Sequence, residues 1–188
     1  MNPKVELRLS RLSTRYLIKG RPDWDVPHTH AVVIWIKKLM DKNTYDENIL
    51  IPAAYLHDIG YSDQFTKGYS FADNQVKKPD HMIRGELIAG KILREIGGFS
   101  EDEITKIIQL VRTHDDLDSI TATPEGQLLF EADSLTSIDV ERVKPNFDKE
   151  NYGEFLASFE RTRAPLFKTE KGKKALLELM KKARDYFA

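Results

Sequence analysis

A histidine and an aspartate stand side by side, His57-Asp58, directly after the apolar run formed by residues 49–56. A run of this kind is typical of a buried segment, so two ionisable side chains at its end are expected to border the core. Burying such groups without partners costs roughly several kcal/mol. A divalent metal ion can satisfy both side chains at once. The pair therefore predicts half of a metal site, provided that the chain supplies further ligands.

The composition restricts what such a site can be. The 188 residues include no cysteine, so disulfides and thiolate zinc sites are excluded and any metal must be held by His, Asp or Glu. The net charge of −1 gives no overall field for nucleic acid or an anionic membrane. The longest strictly apolar stretch, residues 31–36, is too short to span a bilayer, and the N-terminus lacks the apolar core of a signal peptide. We expect a cytoplasmic protein with neither a membrane nor a specific nucleic-acid partner.

Helical periodicity dominates the chain and strand-like alternation is scarce, which predicts an all-α fold of about eight helices. Ser100 with Glu103 forms a capping box, and Thr123 precedes a proline at the first position of another helix. Two helices begin at these signals. The remaining predicted helices cover residues 5–18, 28–40, 44–58, 80–96, 152–163 and 170–187.

Two of these boundaries depend on prolines and caps. Thr44 with Glu47 is a candidate capping box for the third helix, and Pro52 inside that segment predicts a kink or a later start. Residues 61–79 hold Gly, Ser, Asp, Asn and Pro without periodicity, which predicts a long loop beside the His-Asp pair, with Asp80 as the N-cap of the next helix. Long loops in compact domains are often functional.

Other histidines lie on helix faces that the periodicity turns inward. His114 continues the apolar row of the fifth predicted helix, three residues after Val111, so it should face the core. His81 shares a face with Gly85, whose missing side chain leaves room for an ion or a ligand. Taken singly, each is more often a hydrogen-bonded core histidine than a metal ligand.

Two more side chains strengthen the joint interpretation. Asp133 lies on an apolar stripe of its helix, and His30 opens the second predicted helix on an apolar side. Without a metal, each of these buried polar groups would need its own partner, whereas one metal centre satisfies all of them. His28 stands at the very start of that predicted range, ahead of the helix proper, and we expect it to contact solvent or groups around the ligands.

The ordered set resembles the ligand pattern H…HD…H…H…D of the HD superfamily of metal-dependent phosphohydrolases: His30, His57, Asp58, His81, His114 and Asp133. Residues 54–60 resemble the central motif of that family, and residues 131–135 resemble the segment around its last aspartate. The resemblance covers about residues 28–138. It implies an all-α HD-domain bundle, and we expect a single domain, 1–188, in which residues 150–188 pack on this core.

The resemblance also implies how the ligands divide. The basic single-metal quartet of the family matches His30, His57, Asp58 and Asp133, and the two extra ligands of its two-metal members match His81 and His114. Asp58 would then bridge two ions. If His81 and His114 contact only the substrate, one ion remains. Mixed His and carboxylate ligation suits Mn, Fe, Co, Ni or Zn better than Mg or Ca.

The expected reaction is hydrolysis of a nucleotide or another small phosphate ester by metal-activated water. Arg84, one turn after His81, is the candidate to hold the phosphate, and Lys77 and Lys78 are weaker ones. Asp115 is a candidate to orient a ligand or relay protons. Specificity is expected in the 61–79 segment and in the C-terminal helices.

Two other functions stay open. Some six-ligand HD proteins activate oxygen, so a di-iron oxygenase is the alternative, and a non-enzymatic metal-stabilised regulatory module is a third candidate. A purely structural role would not require so many inward ligands, which disfavours the module. Cyclic-dinucleotide cleavage is not expected, because the Gly-Tyr-Pro stretch of those enzymes is replaced by Gly68-Tyr69-Ser70, in the wrong place. The sequence does not indicate an oligomeric state.

Overall fold

The fold is helical throughout the residues that the computed structural model describes, which are 1–41 and 44–187. Within these ranges there is no β-strand, and the predicted all-α fold is confirmed. Three residues lie outside the described part: 188, which ends the predicted domain, and 42 and 43, which precede the predicted third helix. The helices are α1 (Pro3–Leu17), α2 (Asp25–Leu39), α3 (Glu47–Leu56), α4 (Phe71–Ile96), α5 (Glu101–Thr113), α6 (Leu117–Ile120), α7 (Pro124–Ile138), α8 (Lys149–Thr162) and α9 (Glu170–Asp185), with 3₁₀ turns at Ile59–Tyr61 and Ala164–Leu166.

Side-chain caps determine where the helices begin. Ser100 accepts the backbone N–H of Glu103 and Glu103 accepts that of Ser100, so the predicted capping box starts α5. Thr123 caps α7, ahead of a proline at its first position, as predicted. The third helix differs from expectation, because Asp46 rather than Thr44 is its N-cap and accepts from the backbone N–H of Asn48 at 2.8 Å.

The predicted loop over residues 61–79 is wrong in its second half. Ser70 and Asp73 form a capping box that starts α4 at Phe71, so Asp80 lies inside the helix rather than at its N-cap. Pro79 also lies inside α4. A proline there removes one helical hydrogen bond, to the carbonyl of Gln75, and both residues lie on the exposed side of the helix. The helix therefore continues past a residue that usually ends one.

Two buried helices form the centre of the bundle. Residues 49–56 of α3 and residues 126–136 of α7 are buried without exception. Around them, α2 packs against both α3 and α7, α5 against α3 and α4, and α9 against the outer side of α7. None of the helices in the described ranges is both long and apolar enough to cross a membrane. The His-Asp pair follows α3, so it emerges from the most buried part of the molecule.

Two glycines allow the turn after α3 to touch α4. A Cβ atom on Gly60 would overlap the backbone carbonyl of His81, so only glycine permits this approach. A Cβ on Gly85 would lie 3.1 Å from Cγ1 of Val111 on α5. The space beside Gly85, which the sequence assigned to an ion or a ligand, is thus used for packing α4 against α5.

Candidate metal centre

Asp58 joins two groups of histidines. The residue follows His57 at the end of α3 and begins the turn Ile59–Tyr61, and it is 4% exposed. Its Oδ2 atom lies 3.1 Å from Nε2 of His57 and 3.5 Å from Nε2 of His28. Its Oδ1 atom lies 3.4 Å from Nε2 of His114 and 3.7 Å from Nε2 of His81. One carboxylate therefore offers an oxygen to each side.

The first group is completed by a carboxylate from α7. Oδ1 of Asp133 lies 3.0 Å from Nε2 of His28 and 3.9 Å from Nε2 of His57. The two histidine Nε2 atoms are 3.3 Å apart. Four side chains from α2, the end of α3 and α7 thus place their donor atoms around one point, in a mixture of nitrogen and oxygen that suits a transition metal.

The second group pairs α4 with the end of α5. Nε2 of His81 and Nε2 of His114 are 3.0 Å apart, and Asp58 faces both. The ring of Tyr61 stacks on His81, with centroids 3.8 Å apart and planes 7° from parallel, which holds that imidazole in place. His81 and His114 are both buried.

The hydrogen bonds of two histidines show that their inward nitrogens suit a metal ion. Nδ1 of His57 lies 2.8 Å from the carbonyl oxygen of Ala54, and Nδ1 of His114 lies 2.8 Å from that of Val111. A carbonyl only accepts, so each Nδ1 carries a proton, and the Nε2 atom presents a lone pair whenever the ring is neutral. Lone pairs and a carboxylate that converge in this way repel one another unless a cation lies between them. The residues therefore fit a divalent metal at both groups.

The ionisation of the ligands differs between the two groups. Burial opposes charge on Asp58, but Arg21 and the histidines outweigh it and hold its pKa well below the usual value. Burial and the neighbouring His114 lower the pKa of His81 to about 3, so that ring is neutral. Burial lowers the pKa of His57, but Asp58 and Asp133 outweigh it and raise the value to about 9. A metal held by His57 would take the place of that Nε2 proton.

The prediction for His30 is wrong, and His28 occupies the place expected for it. His30 is exposed and its Nε2 atom lies 3.4 Å from Oγ of Ser10 on α1. His28 is 2% exposed and faces Asp58 and Asp133. Helix α2 begins at Asp25, three residues earlier than predicted, so His28 lies within the helix and not before it.

An arginine between the first two predicted helices holds the carboxylate of Asp58. Nη2 of Arg21 donates to Oδ2 of Asp58, and its Nε donates to Asp25 at 2.5 Å. Its guanidinium also lies 4.3 Å from the ring centroid of Tyr61. Arg21 lies between α1 and α2, where no periodic pattern could have indicated that it points inward.

A second arginine, Arg163, reaches the other carboxylates from the end of α8. Its Nη2 donates to Asp133 at 2.7 Å, its Nη1 to Asp115 at 3.3 Å and its Nε to Ser134 at 3.0 Å. Lys78 also donates to Asp115, at 3.1 Å. Burial opposes charge on Asp115, but these cations outweigh it and hold its pKa well below the usual value. Asp115 is therefore a fixed anion that positions two cations.

The candidate for holding phosphate, Arg84, needs correction. Its Nη2 atom donates to the backbone carbonyl of Ser62 at 2.8 Å, and the side chain lies outside the cavity that reaches the metal centre. Lys77 also lies outside that cavity, whereas Lys78 lines it. Arg84 is one turn after His81, but a full turn along α4 carries it past the site.

A cavity of about 260 Å³ opens onto one side of the metal centre. Its floor includes His28, Asp58 and Asp133, and its charged wall includes Arg21, Lys78, Asp115 and Arg163. Its other walls are largely aromatic, and the start of α4, the segment before α8 and α8 itself supply them. The centre is thus accessible to a small molecule from one direction.

The sequence pattern of a known family covers this centre. The family model of the HD domain matches residues 26–138, which is more than half of the chain and includes all six inward ligands. No curated protein and no solved structure matches the chain significantly. The chain therefore belongs to the HD domain family.

Proposed function

We propose that this protein is a metal-dependent phosphohydrolase that uses two divalent ions and acts on a nucleotide or another small phosphate ester. The observation that carries the proposal is the position of Asp58, whose two oxygens face two separate groups of ligands at the floor of an open cavity. Bound ions there would polarise a phosphate and lower the pKa of a metal-bound water. Mn, Fe, Co, Ni and Zn suit the mixed ligands.

The charges around the cavity support an anionic substrate. The negative and positive charges of the side chains there nearly balance each other. The acidic residues are Asp25, Asp58, Asp115 and Asp133, and the basic residues are Arg21, Lys78 and Arg163. Two divalent ions would add four positive charges without new anions from the protein. A phosphate group is the kind of ligand that restores neutrality.

The openness of the centre supports an enzyme over a purely structural metal site. A structural site is closed by its protein ligands, whereas a catalytic site keeps a position for water or substrate. Here three of the ligands, His28, Asp58 and Asp133, line a cavity on one side, and the remaining histidines close the other.

The protein's own groups have separate roles in this proposal. Asp58 contributes one oxygen to each ligand group, and Arg21 orients the Oδ2 atom of Asp58. Arg163 and Lys78, fixed by Asp115, present positive charge at the cavity wall, where they can orient a phosphate. The buried histidines behind Asp58 exclude water from that side.

Elemental analysis of purified protein, joined to hydrolysis assays with p-nitrophenyl phosphate and nucleoside monophosphates, tests the proposal. Two ions per chain and phosphate release are expected. Asp58→Asn should reduce release to background, because both ligand groups lose their shared anion, while His30→Ala should retain activity. Full activity of Asp58→Asn would overturn the proposal. Oxygen consumption by the iron-loaded protein without phosphate release would establish the oxygenase alternative instead.

A further inference from the structure

The cavity is charged at one end and aromatic at the other, and α4 shows the same order. Phe71, Asn74 and Lys78 line the cavity and lie three and four residues apart, and His81 continues their face into the metal centre. At about 1.5 Å of rise per residue, Asn74 lies about 10 Å and Phe71 about 15 Å from His81 along the helix. The helix therefore presents a metal ligand, a cation, an amide and an aromatic ring in sequence.

Helix α8 repeats this order on the facing wall. Tyr152, Phe155 and Phe159 line the cavity along one face, and Arg163 follows at the end nearest the metals. The two walls meet at the aromatic end, where the ring centroids of Phe71 and Phe155 are 6.1 Å apart. Both walls thus place charge next to the metals and apolar surface farther away.

Three half-buried rings, those of Phe71, Phe147 and Phe155, form what we call the aromatic end of the cavity. Phe147 lies 6.0 Å from Phe71 and 6.4 Å from Phe155, measured between ring centroids, and all three line the cavity. Each ring keeps part of its surface open, because none is fully buried. An aromatic cluster of this kind suits a flat, apolar ligand that stacks.

An unpartnered amide oxygen beside the aromatic end indicates what the ligand must offer. Asn74 is 9% exposed, and its Oδ1 atom has no hydrogen-bond partner among the residues that the structure describes. It lies three residues after Phe71, on the same face of α4. A buried acceptor without a partner is costly, so this oxygen is placed to accept an N–H from a bound molecule.

We propose that the aromatic end is a nucleobase subsite, so that the substrate of the phosphohydrolase proposed above is a nucleoside monophosphate. The base stacks against Phe71, Phe147 and Phe155 and donates an N–H to Oδ1 of Asn74. The phosphate then reaches the metals, past Lys78 and Arg163. This inference rests on the proposed function for the phosphate end. Phe147 and α8 lie beyond the residues that match the family, so two of the three rings of the subsite come from this chain's own C-terminal segment.

The test compares AMP with ribose 5-phosphate, which carries the same phosphoester and sugar without a base. With metal-loaded protein, kcat/KM should favour AMP by roughly ten- to a hundred-fold, the range expected for stacking of one base. Asn74→Leu and Phe155→Leu should each reduce this ratio about tenfold. A ratio is used because a general loss of folded protein lowers both values alike. Phe99→Leu, at a half-buried phenylalanine outside the cavity, is the matched control and should leave the ratio unchanged.

The outcomes separate this inference from the proposed function. If ribose 5-phosphate is hydrolysed as efficiently as AMP, the nucleobase subsite is overturned while the phosphohydrolase stands. If no phosphate ester is hydrolysed, the proposed function fails, and calorimetric binding of AMP against ribose 5-phosphate to the metal-loaded protein decides the inference. Equal affinities would overturn it, and tighter binding of AMP that Asn74→Leu abolishes would support it.

Discussion

Arg163 donates to Asp133 across 2.7 Å, so the end of α8 holds a carboxylate that belongs to the first ligand group. Both side chains are nearly buried, and Arg163 also donates to Asp115. Arg163→Leu would leave two buried carboxylates without this cation, which should lower the free energy of unfolding by about 3 kcal/mol. Urea denaturation measures this change in the free energy of unfolding. The control is Arg94→Leu, whose pair with Glu101 is exposed and should matter little. A loss below about 1 kcal/mol for Arg163→Leu would contradict the assignment.

Two histidines on one helix provide a matched test of the ligand assignment. His28→Ala should lower metal affinity by at least about 100-fold, because it removes a donor that faces both carboxylates of the first group. His30→Ala should leave affinity unchanged, since His30 is exposed and contacts Ser10. Calorimetric titration with Mn²⁺ or Zn²⁺ distinguishes the two, and equal effects would show that the centre is assigned to the wrong residue.

Gly60 should tolerate no side chain. A Cβ there would overlap backbone atoms of His81, which cannot move without displacing α4 and a ligand with it. Gly60→Ala should cost about 2–3 kcal/mol of stability and weaken metal binding. Gly153→Ala is the control on α8, where no atom of the described residues lies within 4 Å of the new methyl group. It should raise stability by about 0.5–1 kcal/mol, as alanine does in a helix. Thermal unfolding of the two variants should therefore shift in opposite directions.

Glu131 should fix the approach to α9. Its carboxylate is fully buried and accepts the backbone N–H groups of Lys168 and Thr169, at 2.7 and 2.9 Å, and the hydroxyl of Thr169. Glu131→Gln exchanges one charge-assisted acceptor for a donor and should cost about 2–3 kcal/mol. Amide hydrogen exchange should accelerate in α9 more than in α5. Glu178→Gln, at an exposed position of α9, should change neither measurement.

Asp25 should make stability depend on pH in an uncommon direction. Burial raises its pKa from 3.8 to about 6, although Arg21 opposes the shift. The folded state therefore binds more protons than the unfolded state between these values, and stability falls as pH rises through this window. Relative to Asp25→Asn, the wild type should lose about 2 kcal/mol between pH 4 and 6, because the full slope of about 1.4 kcal/mol per pH unit applies only where the two states differ by a whole proton. A difference between the two proteins that stays constant with pH would contradict this.

Much of the fold could be predicted because its signals are local. The caps at Ser100 and Thr123 act within one turn of chain, so the sequence alone locates α5 and α7. The start of α4 could not be predicted in the same way, because Pro79 is usually a breaker. The lost hydrogen bond at Pro79 costs little here only because the carbonyl of Gln75 lies on an exposed side of the helix. Which side is exposed depends on the tertiary fold.

The choice between His28 and His30 shows where periodicity fails. Helix α2 is buried on most sides, so an apolar stripe does not identify one inward face. A better signal was available in the polar residues. Lys37 and Lys38 lie seven and eight residues after His30 and therefore share its face, which indicates solvent. His28 shares its face with Val32 and Ile36, both fully buried.

The arginines and the aromatic end could not be found from the sequence, because each depends on contacts between distant segments. Arg163 lies 30 residues from Asp133 along the chain, and Arg21 lies 37 residues from Asp58. No spacing rule connects such pairs. The sequence did favour the 61–79 segment and the C-terminal helices as the source of specificity, and the cavity draws its far walls from both.

Helix α7 carries Asp133 toward the ligands and Glu131 toward α9, two residues apart and on roughly opposite sides. A shortened chain that ends with the family match at residue 138 would therefore uncover the buried carboxylate of Glu131 and would lack Arg163, the partner of Asp133. Such a truncation removes the helix that packs on the outer side of α7. Expression of the minimal family segment alone should yield a poorly folded protein, so the C-terminal helices belong in any preparation meant to report on the metal centre.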